Sequence, residues 1–144
     1  LHEMKRYEEA LEEKKKALGL DPENAEYYNS LGVTLHEMKR YEEALEEKKK
    51  ALELDPENAQ YHDSLGVTLH EMKHYEEALE AEKKALELDS ENAGYYNSLG
   101  VTLHAMKRYE EALEAEKNAL ELDPENAEYR DNFKILCKMV KEEP

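Results

Sequence analysis

One six-residue segment recurs unchanged three times along the chain. Leu-Gly-Val-Thr-Leu-His occupies 31–36, 65–70 and 99–104, so the spacing is 34 residues each time. A fixed period of this length is typical of stacked supersecondary units, none of which can bury its apolar face alone. The repeat therefore constrains the fold to an array in which neighbouring units share one core.

The period divides the chain into units that together form one domain. Three full units are predicted at 25–58, 59–92 and 93–126. A partial unit at 1–24, mostly a second helix, precedes them, and one extra helix at 127–144 follows as a C-terminal cap. Since residue 1 falls within a unit, we expect the chain to be a fragment of a longer protein.

Each unit is predicted to contain two helices, A and B. In the first full unit, apolar residues recur at spacings of three and four over 25–39 and again over 41–54, which places them on one helix face. Units are separated by Asp-Pro pairs such as Asp55-Pro56; proline stops helix B, and the Asp or the following Asn can cap the next helix. Because Asp89-Ser90 lacks the proline, we expect a softer junction there.

A glycine lies inside every helix A, at Gly32, Gly66 and Gly100. Glycine in a helix interior costs about 1 kcal/mol relative to alanine. We therefore expect another helix to approach closely at these positions, with small residues such as Ala44 and Ala51 on helix B opposite them.

The residues at these repeated positions resemble the tetratricopeptide repeat. The matching positions in the first full unit are Tyr28, Leu31, Gly32, Tyr41, Ala44, Ala51 and Pro56. The resemblance covers essentially the whole chain. It implies an all-α, right-handed superhelical solenoid of antiparallel helix pairs, with helix A lining a concave groove. It also implies a protein–protein interaction module rather than an enzyme.

Two positions depart from the family pattern. The second aromatic of helix A is replaced by leucine, as at Leu35. The aromatic of helix B is replaced by a charged residue in every unit. These charged residues are Lys14, Lys48, Glu82 and Glu116. We expect their heads to reach solvent on aliphatic stems, which would make packing between units thinner.

The resemblance also implies which side chains line the groove. They are Glu26, Asn29, Val33 and His36 in the first full unit, Gln60, Asp63, Val67 and His70 in the second, and Gly94, Asn97, Val101 and His104 in the third. Some family members use Lys or Arg with Asn in this groove to hold a peptide carboxylate. Those basic residues are missing here and acidic ones such as Glu37 and Glu71 stand nearby, so we reject that clamp. A neutral or basic peptide or protein segment is the expected partner.

Charge and cysteine content narrow the alternatives. The chain has 36 acidic and 20 basic residues, a net charge of −16, which argues against nucleic acid and anionic membranes as partners. Cys137 is the only cysteine, so a reducing compartment, the cytoplasm, is expected. No cofactor is predicted.

A metal-site pattern occurs once, at 70–74, where the sequence is His-Glu-Met-Lys-His. On a helix this spacing puts two histidines on one face for zinc. We reject a zinc hydrolase because the same register elsewhere reads His-Glu-Met-Lys-Arg, as at 36–40, and no third ligand follows. His36, His70 and His104 should lie about 10 Å apart, a helix-packing distance, which is too far for one zinc to bridge.

The near-identity of the units leaves a rival interpretation open. The first and second units differ at only a few positions, whereas a groove tuned to one ligand usually varies between units. A structural array that assembles end to end, whether engineered or recently duplicated, with no dedicated ligand, is therefore the alternative to a peptide-binding scaffold.

Overall fold

The computed structural model describes residues 2–142, and within them the chain forms eight α-helices and no strand. The helices are α1 (His2–Leu20), α2 (Ala25–Glu37), α3 (Tyr41–Leu54), α4 (Ala59–Glu71), α5 (Tyr75–Leu88), α6 (Ala93–Ala105), α7 (Tyr109–Leu122) and α8 (Ala127–Glu142). The first residue of the predicted partial unit and the last two of the predicted capping segment lie outside the described residues.

An asparagine caps each helix A. Asn24 accepts a hydrogen bond from the backbone N–H of Tyr27 at 3.2 Å, and Asn58, Asn92 and Asn126 do the same at their own helices. Such a cap contributes about 1 kcal/mol. In the Asp-Pro junctions the aspartate accepts from the side chain of this asparagine, as Asp55 does at 3.2 Å. The capping prediction is confirmed, and the asparagine is the residue that caps.

The turn from helix A to helix B uses a lysine in the left-handed conformation. Lys39, Lys73 and Lys107 have φ values of 63°, 64° and 62°. Around Lys39 the N–H groups of Lys39 and Arg40 donate to His36 and Leu35, both at 2.9 Å, the paired bonds of a Schellman motif. Helix A therefore ends at Glu37, and the prediction that it extends to Lys39 was wrong by two residues.

Helix α1 continues through the residues that form this turn in the full units. The segment 2–6 reads His-Glu-Met-Lys-Arg, like the turn at 36–40, yet it is helical throughout.

Alanines allow the helices of a unit to pack closely. The two alanines on the inner side of each full helix B are completely buried, as Ala44 and Ala51 are. At the C-terminal end Leu136 of α8 is 1% exposed and packs with Leu79 and Leu103. Helix α8 thus covers the last unit.

The A helices form the inner layer of the array. Helix α2 contacts α4, and α4 contacts α6, whereas over residues 2–142 no comparable contact joins α3 with α5 or α5 with α7. Helices that approach one another more closely lie on the inside of a curved stack. The solenoid therefore presents α2, α4 and α6 on its concave face.

Candidate binding groove

A row of valines lies along the concave face. Val33 on α2 is 37% exposed, Val101 on α6 is 40% exposed, and Val67 on α4 is half-buried between them. All three occupy the same register of helix A. We call this set the valine row. Isolated exposed apolar residues are common on protein surfaces, but here three lie at one register of neighbouring A helices.

The other residues predicted for the groove differ in accessibility. Glu26 and Gln60 are exposed, whereas Asn29 is only 6% exposed. Asp63, Gly94 and Asn97 are half-buried. The structure thus buries Asn29 and leaves the side chains of Glu26 and Gln60 accessible to solvent.

Two of the three helix A histidines are hydrogen-bonded to the next unit. His36 Nδ1 lies 2.9 Å from Thr68 Oγ1, and His70 Nδ1 lies 3.0 Å from Thr102 Oγ1. The ring of His36 also meets Tyr41 edge-on, with centroids 5.1 Å apart. Partial burial lowers the pKa of both His36 and His70, so both rings are predominantly neutral at pH 7.

The charged residues of helix B are buried, contrary to the expectation that they reach solvent. Lys48 is 2% exposed, and Glu82 and Glu116 are each 1% exposed; Lys14 is half-buried. The glycine of helix A provides the space for their stems. A Cβ at Gly32 would lie 2.6 Å from Lys48 Cγ. The predicted close approach at the glycines is confirmed, but its main partner is a charged side chain and not the small residues opposite.

The buried lysines find hydrogen-bond acceptors in the following unit. Lys48 Nζ donates to the carbonyl of Ser64 at 2.9 Å and to Thr68 Oγ1 at 2.7 Å. Lys14 makes the same two bonds one unit earlier, to Ser30 and Thr34. Burial lowers the pKa of Lys48 to about 8. These bonds join consecutive units. The expectation that packing between units is thinner at this position was therefore wrong.

Glu116 occupies the position of the third unit that corresponds to Lys48, and its carboxylate is also hydrogen-bonded. With its amide nitrogen turned toward the carboxylate, Asn97 donates to Glu116 Oε1 at 2.8 Å. Asn132 Nδ2 lies 3.5 Å from the same oxygen. Burial is nevertheless the larger influence, and it raises the pKa of Glu116 to about 8.

Glu82 has fewer partners than Glu116. Thr102 Oγ1 donates to Glu82 Oε2 at 3.0 Å, but the buried Oε1 has no hydrogen-bond partner. The residue that corresponds to Asn97 in this unit is Asp63, which has no N–H to donate, and its own buried Oδ1 is also unpartnered. Burial raises the pKa of Glu82 to about 8 and that of Asp63 to about 6.

A cavity of about 180 Å³ opens beside Glu82, between α4 and α6. Val67 and Val101 of the valine row line it, which places the cavity on the concave face. The remaining lining residues are His70, Glu71, Glu82, Asn97, Ser98 and Thr102. We refer to it as the Glu82 cavity. Sequence analysis named Val67, His70, Asn97 and Val101 but missed Glu82, Ser98 and Thr102, although Thr102 belongs to the invariant six-residue segment.

The histidine pair at 70 and 74 does not form a metal-binding face. Helix α4 ends at Glu71, and the exposed His74 ring lies 3.8 Å from Glu77 on the next helix. Over residues 2–142, no three His, Cys, Asp or Glu side chains are grouped closely enough to hold a metal ion. Nor does any helix of the described chain combine the length and apolar character needed to cross a bilayer.

The fold and its concave face define a helical-repeat solenoid. Three family models together match most of the sequence: a TPR repeat model at 1–39, a tetratricopeptide repeat model at 25–91 that overlaps it, and a second tetratricopeptide repeat model at 93–126. The chain belongs to the tetratricopeptide repeat family. No curated protein sequence matches it.

Solved structures share this fold. The crystal structure of MamA has a TM-score of 0.85 at 24% identity, over 97% of this chain and 82% of MamA. The Arabidopsis OM64 TPR domain has a TM-score of 0.78 at 26% identity, over 81% of this chain and 96% of the domain. The first TPR of Spaghetti (RPAP3), bound to the HSP90 peptide SRMEEVD, has a TM-score of 0.80 at 21% identity, over 85% of this chain and 97% of that domain.

Proposed function

We propose that this chain is a non-catalytic scaffold that binds an extended or helical peptide segment along its concave face. The observation that carries the proposal is the valine row, with Val33 and Val101 exposed to 37% and 40%. Apolar side chains of a peptide that lies across α2, α4 and α6 would be buried against these valines. The solved TPR of similar fold that is bound to a peptide supports peptide binding by this fold.

The charge of the groove favours a neutral or basic segment. Glu26, Glu37 and Glu71 are exposed on the A helices, and Lys48 is buried and engaged with Ser64 and Thr68. A carboxylate-terminated ligand would meet repulsion and no free cation at these positions. The long-range field of a chain with net charge −16 would also accelerate association with a basic partner.

The proposed setting is the cytoplasm. The scaffold contains a single cysteine, Cys137, which is half-buried on α8 and unpaired. Helix packing and hydrogen bonds between units stabilise the fold. An oxidising compartment, which would allow disulfides to form, is therefore not needed.

Selection from a random peptide library, followed by affinity measurement with matched variants, tests the proposal. The groove variant replaces Val33, Val67 and Val101 by serine. The control variant replaces three partly or fully exposed leucines outside the A helices, Leu20, Leu54 and Leu122, by serine. We expect selected peptides to lose on the order of tenfold or more in affinity for the groove variant, because each lost apolar contact weakens binding by about 1 kcal/mol, and to keep their affinity for the control.

Two results would overturn the proposal. One is a groove variant that binds the selected peptides as well as the control does. The other is a library from which no peptide binds above background. In that case, an apparent molar mass from light scattering that rises with protein concentration would favour the self-assembling array.

A further inference from the structure

We propose that the Glu82 cavity is a pocket for one cationic side chain, lysine or arginine, of a bound peptide. This inference rests on the proposed peptide-binding function and adds a specific recognition element to it. The two observations that carry it are the cavity on the concave face, which Glu82 lines, and the carboxylate oxygen of Glu82 that has no hydrogen-bond partner.

The unpartnered oxygen belongs to a side chain that is almost completely buried. Glu82 is 1% exposed. The hydroxyl of Thr102 donates a hydrogen bond to its Oε2, whereas no group donates to its Oε1. In the ionised form this is a buried acceptor without a partner, which is destabilising. An incoming N–H group would satisfy it. The lining by Val67 and Val101 suits the aliphatic stem of a lysine or arginine, which carries its donors at the far end.

The charges around the cavity favour a cation over a neutral donor. Helix α4 contributes Asp63, whose buried Oδ1 also lacks a partner, together with the exposed carboxylate of Glu71 and the predominantly neutral His70. From α3, Lys48 acts on Asp63 and partly compensates its charge. The residues of α6 that line the cavity, Asn97, Ser98, Val101 and Thr102, carry no charge. Glu82 is therefore left without a cation of its own.

The other units show why this position is special. In the first full unit the residue that corresponds to Glu82 is Lys48, which supplies donors instead of accepting them. In the third it is Glu116, to which Asn97 already donates. Among the described residues, the second unit alone combines a buried carboxylate with a free oxygen beside the groove. In a groove that otherwise repeats itself, this difference would fix the register of a peptide.

Binding of a cation should release a proton. Burial raises the pKa of Glu82 to about 8, so at pH 7 most molecules carry the neutral acid. A cation favours the ionised form, and the proton leaves to solvent. Affinity for the cation should therefore rise with pH until the pH reaches the pKa of Glu82. When one proton is released on binding, the rise is on the order of tenfold per pH unit.

Titration of the intact chain with n-butylammonium chloride, followed by NMR of the valine and threonine methyl groups, tests the pocket without any peptide. We expect saturable shifts at Val67, Val101 and Thr102, stronger at pH 7.5 than at pH 6.5. Glu82→Gln should weaken binding by on the order of tenfold or more, since the charge is lost, while Glu116→Gln should change it less than twofold. Neutral n-butanol should produce no saturable shift at these methyls.

The outcome separates this inference from the proposed function. The proposed pocket is contradicted if n-butylammonium binds the native chain and Glu82→Gln with equal affinity, or if its affinity does not change with pH. Either result would stand even if library peptides still bound the valine row. Saturable binding that depends on Glu82 supports the pocket, and the peptide selection decides the wider function independently. Circular dichroism of both glutamine variants is the control for intact helices.

Discussion

At the scale of single residues, helix A and helix B are fitted together by glycine and by the stem of a long charged side chain. A Cβ at Gly66 would lie 2.7 Å from Glu82 Cγ and 3.3 Å from the carbonyl oxygen of Ala78. The glycine costs helix stability, but it admits a side chain that makes hydrogen bonds to the next unit. Glycine and charged residue must therefore be considered as a pair.

Alanine substitution at two glycines tests this pairing. At Gly32 the new methyl would meet Lys48 Cγ at 2.6 Å and the carbonyl oxygen of Ala44 at 3.1 Å. Overpacking of about 1–3 kcal/mol should outweigh the gain in helix propensity of about 1 kcal/mol, so Gly32→Ala lowers the melting temperature. Gly19→Ala is the control, because nothing lies within 4 Å of its Cβ position, and it should raise the melting temperature. Equal stabilisation by both would contradict the pairing.

The buried glutamates make stability depend on pH. Because the folded state raises the pKa of Glu116 from 4.5 to about 8, the unfolded chain ionises at lower pH than the folded one. The contribution of this group to stability therefore falls as the pH rises from about 4.5 to 8. Glu116→Gln should stabilise the chain by about 1–3 kcal/mol at pH 8 and should have little effect at pH 4.5.

Urea unfolding at the two pH values measures this difference. Glu121→Gln, an exposed position on the same helix, is the control and should change stability little at either pH. A stabilisation of Glu116→Gln that is the same at pH 4.5 and pH 8 would show that ionisation of this buried group is not the cause.

At the scale of helices, the junctions between units are set by an asparagine cap and a preceding Asp-Pro pair. The Asp89-Ser90 junction keeps the cap by Asn92, but here Asp89 accepts from the N–H of Glu91 at 3.2 Å instead of pairing with the asparagine as Asp55 does. The backbone N–H of Ser90 makes no backbone hydrogen bond in the described structure. A proline is therefore compatible with this position.

Ser90→Pro should stabilise the chain by about 0.4–1 kcal/mol, because proline restricts the unfolded chain without disturbing the folded junction. The reverse change at the equivalent position, Pro56→Ser, should destabilise by a similar amount. Thermal unfolding of both variants beside the native chain measures the two effects. A destabilising Ser90→Pro would show that the second junction differs in backbone conformation from the others.

At the scale of the whole molecule, the period of 34 residues predicted stacked units, the apolar spacing within each unit predicted its two helices, and the family resemblance implied the solenoid. The predicted helix B at 41–54 coincides with α3, and the prediction of an all-α solenoid is confirmed. The end of helix A was missed because the left-handed turn at Lys39 uses a residue type that does not signal it. A glycine at that position would have indicated the turn.

The site was less predictable than the fold. Periodicity and family resemblance placed Val33, Val67 and Val101 on helix A, but neither could show that Lys48 and Glu82 are buried. Their burial depends on partners in the next unit, 16 and 20 residues away along the chain. One difference between units that leaves an oxygen of Glu82 without a donor is Asp63 in place of Asn97, and its effect appears only when the side chains are in contact.

The central claim is that partner recognition belongs to the concave face of the A helices. Methyl NMR of the intact chain, titrated with a peptide selected from the library, tests it most directly. The account predicts shifts concentrated at Val33, Val67 and Val101, with Leu54 and Leu122 on the B helices unchanged. Shifts centred on those leucines, with the valine row unaffected, would contradict it.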